Sequence, residues 1–275
     1  MKIRIELIGG NGLIGSSIKK VSRNIEIRDW GINPDSYGYF NLKDEKSWDQ
    51  ILGCSPKIVV LLSWPGLPNY NSDFHVLENL NMSKRFLKKL FKTEIKKIVS
   101  AGTCFEYGLS EGKQFEITPL KPVTQYGIAK DLLRTYLESE AYKNMISWCW
   151  VRIFYLYSEY SKRPTLYSSL IQAIKDNEKS FKMGSGKQIR DFIHVEQVAK
   201  QIVELAINEN AYGIYNCGSG NPISITEFVE EIVMSMNSSI NLEFNYYKDR
   251  DFEPSAYWAD MSRYNNLLKI FDKKE

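Results

Sequence analysis

The sequence predicts an α/β fold, a doubly wound parallel sheet covered by helices on both faces. Three observations predict it. Short apolar segments alternate with segments of helical period through the first half of the chain. The segment Lys57–Leu62 is almost continuously apolar, as expected of a strand buried on both sides. The first apolar segment also runs straight into a glycine-rich turn and then a helical pattern.

Taken in order, Ile3–Ile8 reads as a strand, Leu13–Val21 as a helix and Asn24–Arg28 as a second strand. After Lys57–Leu62 come an expected helix over Asp73–Phe91 and a strand over Lys96–Ser100. A long helix is expected over Thr124–Ala141, and an apolar strand over Ile146–Phe154. Such alternation implies right-handed crossovers. The second half is less regular. Tyr157–Pro164, Asp176–Gln188 and Asn245–Tyr257 are polar and rich in turn residues, and should build a smaller lobe over the carboxyl edge of the sheet. A helix over Val195–Ile207, a strand over Ile214–Cys217 and a helix over Ile225–Met236 should extend the main body. The expected division is 1–155, completed by about 190–240, for the main domain, with 156–189 and 241–275 forming an interleaved lobe.

Bulk properties exclude several classes. The 275 residues are 43% hydrophobic and 25% charged, ordinary for a globular protein. A net charge of +3 makes no case for nucleic acid or a membrane surface as a partner. Cys54, Cys104, Cys149 and Cys217 form no C-x-x-C pair, so neither a zinc site nor a redox motif is indicated and no metal is expected. Arg4 and Glu6 interrupt what a leader peptide would need as an apolar run, and scattered thiols suit a reducing compartment. A cytoplasmic location is the expectation.

Gly9, Gly12 and Gly15 lie in GGNGLIG. The first allows a tight turn, the second lets a pyrophosphate approach the backbone, and the third lets the helix pack on the strand. Leu13 and Ile14 open that helix, whose free N–H groups would face phosphate. Asp29 closes the expected second strand about 20 residues after Gly9, where a carboxylate meets ribose hydroxyls. Arg28 beside it could instead hold a 2′-phosphate, so the cofactor is NAD or NADP.

Tyr126 and Lys130, in YGIAK, share one helix face. An ammonium beside a phenol favours the phenolate, giving an acid or base usable near neutrality. Upstream, Ser100 and Thr103 in SAGTCFEYG put hydroxyls at the carboxyl end of a strand.

The combination of GGNGLIG, Asp29, SAGTCFEYG and YGIAK resembles the extended short-chain dehydrogenase/reductase family, and within it the nucleotide-sugar epimerases, dehydratases and 4-ketoreductases. GKQIRDFIHVEQVA, YNCGSGNPISITEF and RDFEPSAYWAD continue the resemblance along nearly the whole chain. It implies a Rossmann-type fold with a substrate lobe, and a homodimer through the helix bearing the tyrosine–lysine pair, where Leu132, Leu133 and Leu137 could supply an apolar face. It implies Thr103 as the hydroxyl that binds the reacting oxygen, with Ser100 as the alternative, Tyr126 as general acid/base and Lys130 as its partner and as a ligand of the nicotinamide ribose. Asn41 and Leu42 match the pair flanking adenine. Leu62, Ser63 and Trp64 match the loop under the adenosine ribose. Asn79 and Phe154 match further cofactor contacts. Arg190 and Arg250 match the arginines that hold the substrate's diphosphate.

Departures narrow the chemistry. Tyr155 replaces the usual asparagine of the sugar pocket. Cys104 and Phe105 stand where similar 4,6-dehydratases carry Asp and Glu, which counts against elimination. His75 and His194 match no epimerising acid, and His194 reads as structural. What remains is hydride transfer at C4: an NAD(P)H-dependent reductase of a nucleotide-diphosphate 4-keto-6-deoxysugar, serving nucleotide-sugar and surface-polysaccharide biosynthesis. The alternatives are an NAD-dependent 4-epimerase and a non-catalytic dinucleotide-binding protein.

Overall fold

The computed structural model describes residues 2–161 and 163–272. Seven strands form one parallel sheet in the spatial order Gly213–Cys217, Ser147–Ile153, Lys97–Thr103, Ile58–Leu61, Arg4–Ile8, Glu26–Gly31, Gly38–Tyr39. Arg4–Ile8 pairs with Glu26–Gly31 on one side and Ile58–Leu61 on the other. The winding therefore reverses beside Arg4–Ile8, and a crevice opens at that carboxyl edge.

Several elements run differently from expectation. The second strand continues to Gly31, because its pairing with Arg4–Ile8 carries Asp29 opposite Leu7 and Trp30 opposite Ile8. Asp29 thus sits inside the strand. Lys97–Thr103 runs three residues beyond the expected end, since it pairs along its whole length with Ser147–Ile153. The helix expected over 73–91 starts as a wide π-helical turn, His75–Asn79, and continues as Leu80–Leu90. That turn sets both polar side chains against the loop before it, where Trp64 Nε1–H donates to His75 Nδ1 and Asn79 Nδ2–H to the Pro65 carbonyl.

Helix Gln125–Lys143 is capped by Thr124, whose hydroxyl accepts from Gly127 N–H. Its expected three-leucine docking face does not exist. Leu133 and Leu137 are buried in the chain's own core, and Leu132 alone is exposed. No helix among the described residues is long and apolar enough to cross a membrane.

The second half packs into two apolar clusters. Helix Ile225–Ser235 contributes Phe228, Val229 and Ile232 to a small cluster with Leu170, Ala173, Met183 and Ile240. It packs with that smaller cluster and not into the larger core, where it was expected. Helix Leu166–Lys175, in a stretch for which no element was expected, supplies the facing side; Thr165 and Ser168 cap it reciprocally. Conversely Tyr257, Ala259, Met261, Tyr264 and Leu267 pack into the main core, although the lobe was expected to hold 241–275. Strand Tyr257–Ala259 pairs with Gly112–Gln114, and Ala256 bridges to Ile189. This pairing brings the 250–256 segment alongside Arg190.

Candidate active site

The glycine turn is built as its spacing demands. Gly9 adopts φ +91°, which a side chain would strain. A Cβ on Gly15 would lie 2.5 Å from the Gly9 carbonyl oxygen, so only glycine lets the helix approach. Gly12 is the N-cap of Leu13–Val21 with no side-chain cap, and a Cβ there would meet only the Gly9 oxygen within 4 Å. That side is open, and the backbone N–H groups of the first helical turn are available to an anion.

Asp29 is buried against Gly10, accepts from Lys19 Nζ at 2.9 Å and takes the Tyr37 N–H at 3.3 Å. Arg28 is held by Glu26 at 2.7 Å, its guanidinium over the Tyr37 ring. Leu62 and Ser63 lie against Gly9. Trp64 lies further along, its ring 4.1 Å from Lys130 Nζ, so this loop spans from the glycine turn to the tyrosine–lysine pair. Asn79 braces the loop, and its Oδ1 is buried with no partner among the described residues. Asn41 accepts the Lys43 N–H on its side chain, while Leu42 is in the core. Phe154 donates its N–H to the Cys217 carbonyl, and its ring packs between Tyr107 and Tyr257.

At the catalytic end, Thr103 closes its strand where the turn that follows packs on the start of the Tyr126 helix, Phe105 edge-on to the Tyr126 ring, while Ser100 lies three residues back inside the same strand. Lys130 donates to the Ala101 carbonyl at 2.8 Å. Burial lowers its ammonium to about 7, opposed by the Glu106 charge. The sequence led us to expect a depressed tyrosine pKa. The opposite holds, because burial raises the Tyr126 phenol and the nearby Tyr70 and Glu106 push the same way. Tyr126 is therefore a protonated donor at neutral pH.

Beneath the threonine lies a buried network that motif reasoning missed. Glu106 accepts from Thr103 N–H at 2.9 Å, from Trp150 Nε1 at 2.8 Å and from Arg152 Nε at 2.7 Å. Arg152 also reaches the Tyr107 hydroxyl, which donates to Asn216. One signal was present: Thr103 and Glu106 stand at capping-box spacing.

Arg190 and Arg250, expected to hold a diphosphate, both bind a carboxylate of the protein itself. Glu253 binds Arg190 at 3.2 Å and Arg250 at 2.9 Å, and accepts the Tyr155 hydroxyl at 2.6 Å. Arg190 is buried, and its Nε has no partner among the described residues. Asp191, next to it, accepts from Ser219 and Gly220 N–H and from Ala259 N–H, tying three segments together. The Tyr257 hydroxyl lies 3.1 Å from Cys104 Sγ and 3.3 Å from the Tyr155 hydroxyl. Burial pushes the Cys104 thiol up to about 12, so it carries no charge. His194 caps a helix and contacts Glu159, a structural role. His75 is wholly buried, with Nε2 on the Asn69 carbonyl.

Residues 5–218 match the model of the NAD dependent epimerase/dehydratase family. The chain is 28% identical to the dTDP-6-deoxy-L-talose 4-dehydrogenase (NAD(+)) of Aggregatibacter actinomycetemcomitans, over 94% of this chain and 99% of that protein. It is 26% identical to the CDP-abequose synthase of Yersinia pseudotuberculosis, over 98% and 96% of the two chains. The UDP-glucose 4-epimerase of Thermus thermophilus, solved with NAD, shares the fold with a TM-score of 0.82 at 16% identity, over 98% and 93% of the chains. The chain thus belongs to the NAD dependent epimerase/dehydratase family, as a dinucleotide-dependent enzyme on a Rossmann-type sheet.

Proposed function

We propose that this chain catalyses hydride transfer at C4 of a nucleotide-diphosphate 6-deoxysugar, reducing the 4-keto form. The carrying observation is that the turn after Thr103 packs against Tyr126 at the end of the strand while its first two residues, Cys104 and Phe105, offer no second proton-transfer group. One acid serves one carbon, which fits redox at C4 and not elimination or a two-centre epimerisation. The full-length relatives named above, a 4-dehydrogenase and CDP-abequose synthase, support this class of reaction.

The dinucleotide would lie along the open Gly12 edge, its ribose on Lys130, and when bound it supplies or accepts the hydride. Tyr126 protonates the forming alkoxide, and Thr103 orients that oxygen. Lys130, its ammonium lowered to about 7 by burial, would return a proton to the phenolate left once Tyr126 has protonated the alkoxide. Arg190 and Arg250 take the diphosphate, for which guanidinium forks are suited. The engagement of Arg28 with Glu26, and the placement of Asp29 at the glycine turn, favour NAD over NADP.

The test is a screen of dTDP-, CDP-, GDP- and UDP-linked 4-keto-6-deoxysugars with NADH and NADPH, following nicotinamide oxidation. Turnover with one of them supports the reading. Near-stoichiometric NAD retained on purification, with interconversion of a UDP-sugar and no added reductant, would replace it with the 4-epimerase.

A further inference from the structure

An aromatic cluster surrounds the catalytic phenol. Phe105 contacts Tyr126 edge-on with ring centroids 6.4 Å apart, Tyr70 lies 5.8 Å from Tyr126, and Tyr70 and Phe105 stand at 4.9 Å. Phe252 closes the group at 6.3 Å from Tyr70 and 6.4 Å from Phe105. These rings come from three separate segments: the loop after Ile58–Leu61, the turn after Thr103, and the segment carrying Arg250. Phe105 is buried, whereas Tyr70 and Phe252 are only half-buried, so the cluster keeps an open face. Arg250 is on Glu253, and Cys104 meets Tyr257.

We infer that Phe105 and Phe252, with the ring of Tyr70, form a specificity wall that selects a sugar deoxygenated at C6. The inference rests on the reading that Tyr126 acts at C4. A group bound beside the Tyr126 hydroxyl presents the two carbons flanking C4: C3 with its hydroxyl, and C5 with its C6 substituent. A wall of carbon rings suits the second when C6 is a methyl. A C6 hydroxyl there leaves water and finds no partner on either phenylalanine. Apolar pockets reject an added hydroxyl by roughly 10- to 100-fold.

The experiment runs the enzyme in the oxidative direction with NAD+, comparing dTDP-6-deoxyhexoses with the matching dTDP-hexoses, in the parent, Phe252→Leu and Phe252→Asn. Equilibrium binding of dTDP alone checks that each variant is folded. The parent and Phe252→Leu should prefer the 6-deoxy substrate by roughly 10- to 100-fold in kcat/KM. Phe252→Asn should shrink that preference several-fold, with dTDP affinity unchanged. Equal turnover of both sugars by the parent overturns the wall while leaving the C4 reading intact, as does an undiminished preference in a folded Phe252→Asn. No turnover of either sugar by the parent, with dTDP still bound, overturns the C4 reading and the wall with it.

Discussion

The two ends of the crevice hold their charges in opposite ways. At the catalytic end, Glu106 and Arg152 are both buried, Glu106 held by backbone and indole donors and Arg152 donating to Glu106, the Tyr107 hydroxyl and the Glu116 carbonyl. At the arginine end, Glu253 bridges a buried Arg190 and an Arg250 whose side chain is 59% exposed. The first pair is scaffolding for Thr103. The second is the pair that the proposed function gives to a diphosphate, which would stand beside the Glu253 carboxylate, like charge against like charge.

The largest expected effect lies at the catalytic end. Tyr126→Phe should lower kcat by about 100- to 10,000-fold, while dinucleotide and nucleotide binding, measured by titration, stay near the parent values. Full turnover in that variant would contradict the assigned acid.

Removing the support should instead act on stability. Glu106→Ala leaves Arg152 buried without its counter-ion and should cost about 3–5 kcal/mol in denaturant unfolding. A loss below about 1 kcal/mol would mean the pair is solvated and that the contrast drawn above is wrong.

A third effect depends on pH. Burial lowers Lys130 from 10.5 to about 7, so the folded chain releases near pH 7 a proton that the unfolded chain keeps to about 10.5. The cost of burying the cation is fully present below about 7 and fades as the pH rises toward 10.5. Lys130→Met should therefore gain stability relative to the parent most at pH below 7, with the difference shrinking on going alkaline. A difference independent of pH would show that the ammonium is not desolvated.

The mildest change is at the arginine end. Glu253→Gln keeps an acceptor for Tyr155 and removes the charge that competes with diphosphate. Affinity for nucleoside diphosphate should rise several-fold, measured by calorimetry, with kcat little altered. Weaker binding would mean that the carboxylate is itself a ligand of the substrate.

Legibility in the sequence followed the range of the interaction. GGNGLIG, YGIAK and the strand–helix alternation are local patterns, and each element they imply is present within a few residues. The Glu106–Arg152 pair spans 46 positions and Tyr155–Glu253 spans 98, so no window of sequence contains either. Only the T-x-x-E spacing of Thr103 and Glu106 hinted at the first. Helix Leu166–Lys175 was overlooked because its apolar side has meaning only against Phe228 and Ile232 of another helix. Helical period identifies the apolar stripe of Leu133 and Leu137 but does not say which surface covers it, and here it is the chain's own core.

By itself the sequence determined the α/β class, the glycine turn at the mouth of the first helix and the shared face of Tyr126 and Lys130. Each depends on backbone geometry and spacing over a few residues. Only the tertiary structure decided what those groups are chemically. It buried Tyr126 so that the phenol keeps its proton, drew Lys130 down to about 7, and gave both arginines an internal carboxylate. The reason is physical. Protonation and pairing are set by desolvation and by neighbours brought from distant segments, and neither exists until the chain has folded.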